Sequence, residues 1–328
     1  MIKTLFHQIG AYKKDSILTP IYAAAEVIME ILIPFVTAAI IDEGIQAGNM
    51  QKVLQYGVIM IVLALLSLFF GIQAGRKAAS ASTGFACNLR ESMYRNIQTF
   101  SFSNIDKFST AGLVTRMTTD VTNMQNAYQM ILRIAVRAPM TLICSMVMCF
   151  IINVKLSLIF LVALCVLAAA LIYIMMHAMP VFQEVFSKYD DLNASVQENV
   201  TAIRVVKAFV REDFENQKFG KAAEVLCKLF VKAESIIVFN APIMMTVIFA
   251  SMLGLSWIGA QLIVAGDLTT GNLMSLFSYV LSIMMSLMML SMIFVMLTMS
   301  TASAKRIVEV LNEKADPVSY THLRAHET

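Results

Sequence analysis

The chain has 328 residues, of which 58% are hydrophobic and only 14% charged, with a formal net charge of +3. Soluble domains run at about 45–50% apolar and about 25% charged, so this chain has more apolar surface than a water-exposed fold can hide, and an ordinary soluble protein is excluded. No run of Lys and Arg forms a phosphate-binding stripe, which argues against a nucleic-acid partner.

Residues 1–14 mix Lys3, Lys13 and Lys14 with Leu5, Phe6, Ile9 and Tyr12 at helical spacing, without a small-residue cleavage site. That pattern predicts a short helix lying along the membrane surface rather than a removable signal. A spanning helix needs about 20 residues to cross about 30 Å of hydrocarbon. Six charge-poor stretches meet or nearly meet that length, and they predict spans at about 16–41, 53–75, 130–154, 156–180, 235–266 and 268–301. The third is the weakest, and Arg133 and Arg137 are expected to snorkel from its polar end. Basic residues near short spans are retained in the cytosol. Here 23 of them lie on one side, against Lys52 and Lys155 on the other. The expectation is a multi-pass plasma-membrane protein with both termini cytosolic.

The two inner connections, 76–137 and 177–234, are long. In the second, Val185, Tyr189, Leu192, Val196, Val200, Ile203, Val206 and Val210 recur at three- and four-residue steps. In the first, Phe85, Leu89, Met93, Ile97 and Phe100 do so, followed by Leu113, Met117, Val121, Met124 and Tyr128. Each connection therefore reads as an out-and-back helical pair, with turns near 102–112 and 211–220, reaching roughly 35–40 Å beyond the bilayer at 1.5 Å per residue. The fold class is an all-α membrane protein: six transmembrane helices with two long cytosolic helical hairpins.

Within the membrane, Glu26 and Glu30 share one helical face, and an ionised carboxylate facing lipid costs on the order of 2.5–3.5 kcal/mol. They must face protein or water. One reading has them line a cavity that attracts cations; others are hydrogen bonding to neighbouring helices or protonation. Met285, Met288, Met289, Met292, Met296 and Met299 form a stripe on the sixth span, suited either to a polyspecific cavity or to plain packing and lipid contact. Pro34, Pro139 and Pro242 fall inside predicted spans and permit kinks. The five cysteines, Cys87, Cys144, Cys149, Cys165 and Cys227, include no CxxC pair and read as small apolar fillers, with no metal site.

Five segments together resemble the transmembrane domain of ABC exporters, in particular the bacterial heterodimeric multidrug type. They are IDEGIQAGN (41–49), FSTAGLVTRMTTDVTNMQN (108–126), LRIAVRAP (132–139), IRVVKAFVREDFEN (203–216) and ASAKRIVEVLNE (302–313). The resemblance covers about residues 1–314. It implies that the inner turns are coupling helices seated on nucleotide-binding domains: Asn104, Ile105, Asp106, Lys107 and Phe108 in the first, and Arg211, Glu212, Asp213 and Phe214 in the second. Phe214 is the expected anchor, an aromatic among charges. Glu26, Glu30, Met285, Met289 and Met292 are the candidate substrate cavity. The implied partners are a second half-transporter, identical or different, nucleotide-binding domains, membrane lipid and an amphipathic small molecule.

The sequence contains no Gly-x4-Gly-Lys-Ser/Thr loop. No cofactor is therefore assigned to this chain, and ATP and Mg are expected on a nucleotide-binding domain that it lacks. Residues 315–328 do not resemble the family's linker and read as a non-native tail on a truncated chain, so His322 and His326 are not taken as metal ligands. Two other functions fit six spans. One is an ion-gradient-driven secondary transporter or channel with Glu26 and Glu30 as proton carriers; the other is a membrane scaffold that transports nothing. The first gives no use for the long cytosolic arms; the scaffold would use them to bind a cytosolic partner.

Overall fold

The computed structural model describes residues 2–314, without the side chains of residues 2, 294, 295, 298 and 299. The tail read as non-native, and Met299 of the methionine stripe, lie outside what is described. Among the described residues every regular element is helical. Six helices are long and apolar enough to cross a membrane, as the charge gaps predict, and the chain is a multi-pass membrane protein.

After α1 (Ile2–His7) and a 3-10 turn at Gly10–Tyr12, α2 runs Lys13–Ala39 and passes into a π-helical turn, Ile40–Ile45. Asn49 caps α3 by accepting from the backbone N–H groups of Gln51 and Lys52. α3 then continues unbroken from Met50 to Ile97, 48 residues, so span and arm are one helix. The first turn holds α4 (Phe102–Phe108) and α5 (Thr110–Thr115). A π-helical turn at Arg116–Asp120 leads into α6 (Val121–Ile152). α7 (Val154–Thr201) is the second 48-residue helix. It is followed by α8 (Ile203–Ala208), α9 (Glu212–Val238), α10 (Asn240–Ala265) and α11 (Thr270–Asn312).

Two details depart from the sequence reading. The outgoing second arm stops at Thr201, whereas its apolar period runs on to Val210. The fifth span is divided at Phe239, where Ile243 N–H bonds to the Phe239 carbonyl. Pro242 therefore sits in the first turn of α10, where a missing N–H costs nothing, rather than kinking a helix interior.

The described residues form two compact units, 2–154 with 260–314, and 155–259. In the first, α2, α3, α6 and α11 pack together. Tyr279 Oη donates to the Ile31 carbonyl (2.9 Å) and Ser275 Oγ to the Pro34 carbonyl (2.6 Å), polar ties between α11 and α2 within the apolar zone. At the short-loop end Asp42 caps α11, accepting from Gly271 N–H at 2.8 Å and from the Thr269 hydroxyl. A Cβ at Gly271 would lie 2.4 Å from the Ala38 carbonyl oxygen, so the close approach of α11 to α2 requires glycine.

At the arm end of this unit, Ile9, Phe85, Leu89, Met93, Phe108, Val121, Ile307 and Val310 form one buried cluster. The N-terminal segment is thus packed onto protein through Ile9, with Phe6 left exposed. The N-terminal half of α3 is exposed through Leu54, Val58, Ile61, Leu65 and Phe69, apolar surface that only lipid or another protein could cover. In the second unit, α7 and α9 pack through Val185, Leu192, Leu226, Leu229 and Ala233.

Candidate functional site

The first arm's tip is built from a short capped helix. Ser101 and Asn104 form a capping box: Asn104 N–H donates to Ser101 Oγ (3.4 Å), and Ser101 N–H to Asn104 Oδ1 (3.1 Å). Asn104 is 2% exposed, and its Nδ2 donates to Glu313 Oε1 and to the Lys314 carbonyl, each at 3.2 Å. Lys107 Nζ lies 2.9 Å from both Glu313 oxygens. Phe108 is buried, stacked on Phe100 at 5.8 Å and covered by the Arg116 guanidinium at 4.7 Å. Asp106 is exposed, Ile105 half-buried, and Phe102 stands out at 88% exposure. Of the five residues predicted at this turn, Asn104 and Phe108 therefore face inward and Asp106 and Lys107 outward. Ser109 ends α4 at φ 54°, an unusual conformation for a residue with a side chain, and its hydroxyl caps α5 by accepting from Gly112 N–H.

Behind the tip, the π-helical turn points Asp120 at α11. Asp120 is fully buried and accepts from Ser303 Oγ (2.9 Å), from Arg306 Nε (2.7 Å) and from Arg306 Nη2. Burial alone would raise its pKa. Hydrogen bonds from Arg306 and Ser303, with the charges of Arg306 and Arg116, outweigh that and hold it below the ordinary carboxylate value. Arg116 adds an ion pair to Glu309 (3.0 Å). Arg90 Nε donates to the Met117 carbonyl (3.3 Å), partnering a backbone oxygen within the π turn.

At the second tip, α8 bridges α7 and α9. Arg211 N–H bonds the Val206 carbonyl, and Val210 takes φ 51°, a costly conformation for a β-branched residue. Arg211 precedes α9, while Glu212, Asp213 and Phe214 open it, the acids favourably placed at a helix N-terminus. Lys207 pairs with Glu212 (2.9 Å) and Asn199 with Glu215 (3.0 Å). Phe214 is exposed, 6.0 Å from the Arg211 guanidinium. Sequence reasoning places residues 203–216 at this turn but does not single out Phe209 or Val210 as site residues. Phe209 and Val210 are 73% and 80% exposed, the most solvent-facing apolar pair of this tip. Between α7, α8 and α9 lies an open cavity of about 500 Å³, floored by Val196, Val200, Ile203, Val206 and Phe219.

Within the apolar zone, Arg137 reaches both predicted carboxylates: Nη1 contacts Glu26 Oε1, and Nη2 lies 2.8 Å from Glu30 Oε2. Arg137 therefore does not snorkel; pairing with two acids replaces the water its charge would otherwise seek. Glu26 is buried, whereas Glu30 is exposed, so the two acids are not equivalent. Met285 and Met292 lie on an exposed face of α11 with Met288, and Met289 is half-buried beside them. The cysteines are free; Cys149 is packed inside, but Cys87, Cys165 and Cys227 are exposed, so the filler reading fits Cys149 alone among these four. No group of three or more His, Cys, Asp or Glu that could hold a metal occurs among the described residues.

Comparison with known proteins gives a consistent result. The family model described as the ABC transporter transmembrane region matches residues 17–288. The chain is 32% identical over 291 residues to the uncharacterized ABC transporter ATP-binding protein YfiB of Bacillus subtilis, covering 89% of this chain and 51% of that protein. It is 28% identical over 315 residues to the uncharacterized ABC transporter ATP-binding protein Rv1273c of Mycobacterium tuberculosis, covering 96% and 54%. With the putative export ATP-binding/permease protein RT0691 of Rickettsia typhi, identity is 25% over 274 residues, covering 82% and 46%. The chain spans about half the length of the curated relatives it matches.

Proposed function

We propose a function from one starting point: this chain belongs to the family of ABC transporter transmembrane regions. It is the membrane-spanning half of an ATP-driven exporter, joined to a second half so that helices of both enclose an alternating-access cavity. The arms lie in the cytosol, as do both ends of the described chain, and the membrane is the cell's inner one. ATP and Mg bind the nucleotide-binding domains on which the arms act. The substrate is an amphipathic small molecule, with Glu26, Glu30, Met285, Met289 and Met292 as candidate contacts.

The observation that carries this reading is the construction of the tips. Each long arm ends in a short helix that presents large apolar side chains to water: Phe102 on α4, and Phe209, Val210 and Phe214 around α8. Exposing such groups costs about 1.5–3 kcal/mol each relative to burial, and aromatic anchors inside a polar rim are what protein interfaces use. The tips are coupling elements that seat on the nucleotide-binding domains. The proton-carrier alternative is disfavoured by Arg137, which ties up both acids it would need free.

The test is Phe214→Ala, with Phe209→Ala beside it, in the assembled transporter. Uncoupling is expected: ATP hydrolysis persists while export falls by about tenfold, the loss of one 1.4 kcal/mol contact in an equilibrium constant. Unchanged substrate-stimulated ATPase and export in both variants would overturn the assignment.

A further inference from the structure

The first tip is tied to the end of α11 more heavily than helix packing requires. Glu313 receives Lys107 on both oxygens and Asn104 on one. Asn96, at the end of α3, donates to the Val310 and Glu313 carbonyls at 2.7 and 2.9 Å, occupying two acceptors at the C-terminal end of α11. Two turns earlier Asp120 holds Arg306 and Ser303, and Arg116 holds Glu309 and the Arg306 carbonyl. Ile307 and Val310, both fully buried, complete the seam against Phe85, Leu89 and Phe108. Asn104 on α4 and Asp120 in the π-helical turn behind it are both buried, so parting this tip as a whole from α11 would strand their polar atoms, each at the cost of an unmade buried hydrogen bond.

We propose that α4 and the last turns of α11 are one rigid body throughout the transport cycle, with Glu313 as the positioning residue that joins them. The nucleotide-binding domain then meets a composite surface, α4 through Phe102, Ser103 and Asp106 together with the exposed end of α11 at Asn312. A displacement applied to either part moves both. The ties at the second tip, Asn199 to Glu215 and Lys207 to Glu212, run within its own arm pair. The inference rests on the reading of the arms as the point of energy input.

The experiment uses the assembled transporter in proteoliposomes, with the five native cysteines replaced. Lys107→Cys and Glu313→Cys are introduced together and bridged with a flexible bis-maleimide. The unbridged double variant, which lacks the tie, is expected to lose transport per ATP hydrolysed several-fold, and bridging to bring it back to at least half of the parent's value; bridging that stops transport while the parent remains active overturns this inference and leaves the exporter reading standing. Glu313→Gln is expected to lower transport per ATP hydrolysed several-fold, Glu313→Asp to restore at least half of it, and Lys107→Met with Glu313→Gln to be no worse than either alone. Additive losses overturn the tie. Thermal melting of the same variants decides the tie without reference to transport: the double variant should melt no lower than the worse single one. A parent without nucleotide-dependent transport refutes the underlying function, and with it this use of the tie.

Discussion

Asp120→Ala removes the acceptor on which the arm end of α6 and α11 converge. The native carboxylate accepts three hydrogen bonds, two of them from the Arg306 guanidinium. Hydrogen bonds to charged groups are worth about 1.5–3 kcal/mol each. Arg306, however, is 49% exposed and regains water in the variant, which discounts its share, and burying the carboxylate was itself unfavourable. The net loss is about 2–3 kcal/mol, and about half that for Asp120→Asn. At roughly 2–4 °C per kcal/mol, Asp120→Ala should melt about 5–10 °C below the parent, measured by thermal scanning of the detergent-solubilised protein.

The sign of the pH dependence follows from the depressed carboxyl. A group whose folded pKa lies below its unfolded value stabilises fully above the unfolded value, near 3.8 here, and the stabilisation is lost as pH falls through the folded one. The melting gap between parent and Asp120→Asn should therefore be constant from about pH 5 to 8 and close below about pH 4. A variant that melts with the parent at pH 7, or a gap that widens in acid, would refute the reasoning.

Two other substitutions probe different parts of the fold. Arg137→Met leaves Glu26 and Glu30 without their cation, at on the order of 2.5–3.5 kcal/mol per carboxylate in the apolar zone. Membrane expression should fall sharply and recover when Glu26→Gln and Glu30→Gln are added; full expression of Arg137→Met alone would contradict the pairing. Gly84→Ala gains about 0.5–1 kcal/mol of helix propensity. Its Cβ would fall 2.3 Å from the Tyr12 ring, however, and overpacking of that kind costs about 1–3 kcal/mol. A net drop in melting temperature is expected, partly recovered by Tyr12→Leu, and a rise would show that the N-terminal segment is not seated on α3.

Much of the architecture was legible because lipid imposes a simple arithmetic on sequence. Charge-free length gave six spans, and the return of helical periodicity between charges gave the arms. The first tip was placed correctly because Ser101, Asn104 and Gly112 carry the capping and turn chemistry that α4 and α5 use. The second was misplaced because Ile203, Val206 and Val210 keep helical spacing across a break at Ala202 that no Gly or Pro marks. The division at Phe239 was hidden in the same way by uniform apolarity, and Pro242 announced a helix start that reads equally as a kink. Long-range partners were the least accessible. Nothing near Arg137 announces residues more than 100 positions away, and Glu313 meets Lys107 across 206 positions. Such pairings are products of tertiary packing, whereas periodicity reports only which face of a helix is apolar.

The central claim is that nucleotide-binding domains drive this membrane half through its arms, and vesicle transport tests it most directly. Inside-out vesicles holding the assembled transporter should accumulate an amphipathic dye on addition of ATP and Mg, should lose that uptake with Phe209→Ala and Phe214→Ala together, and should be indifferent to collapse of the proton gradient. Uptake that needs a proton gradient, proceeds without ATP and ignores the tip substitutions would contradict the account.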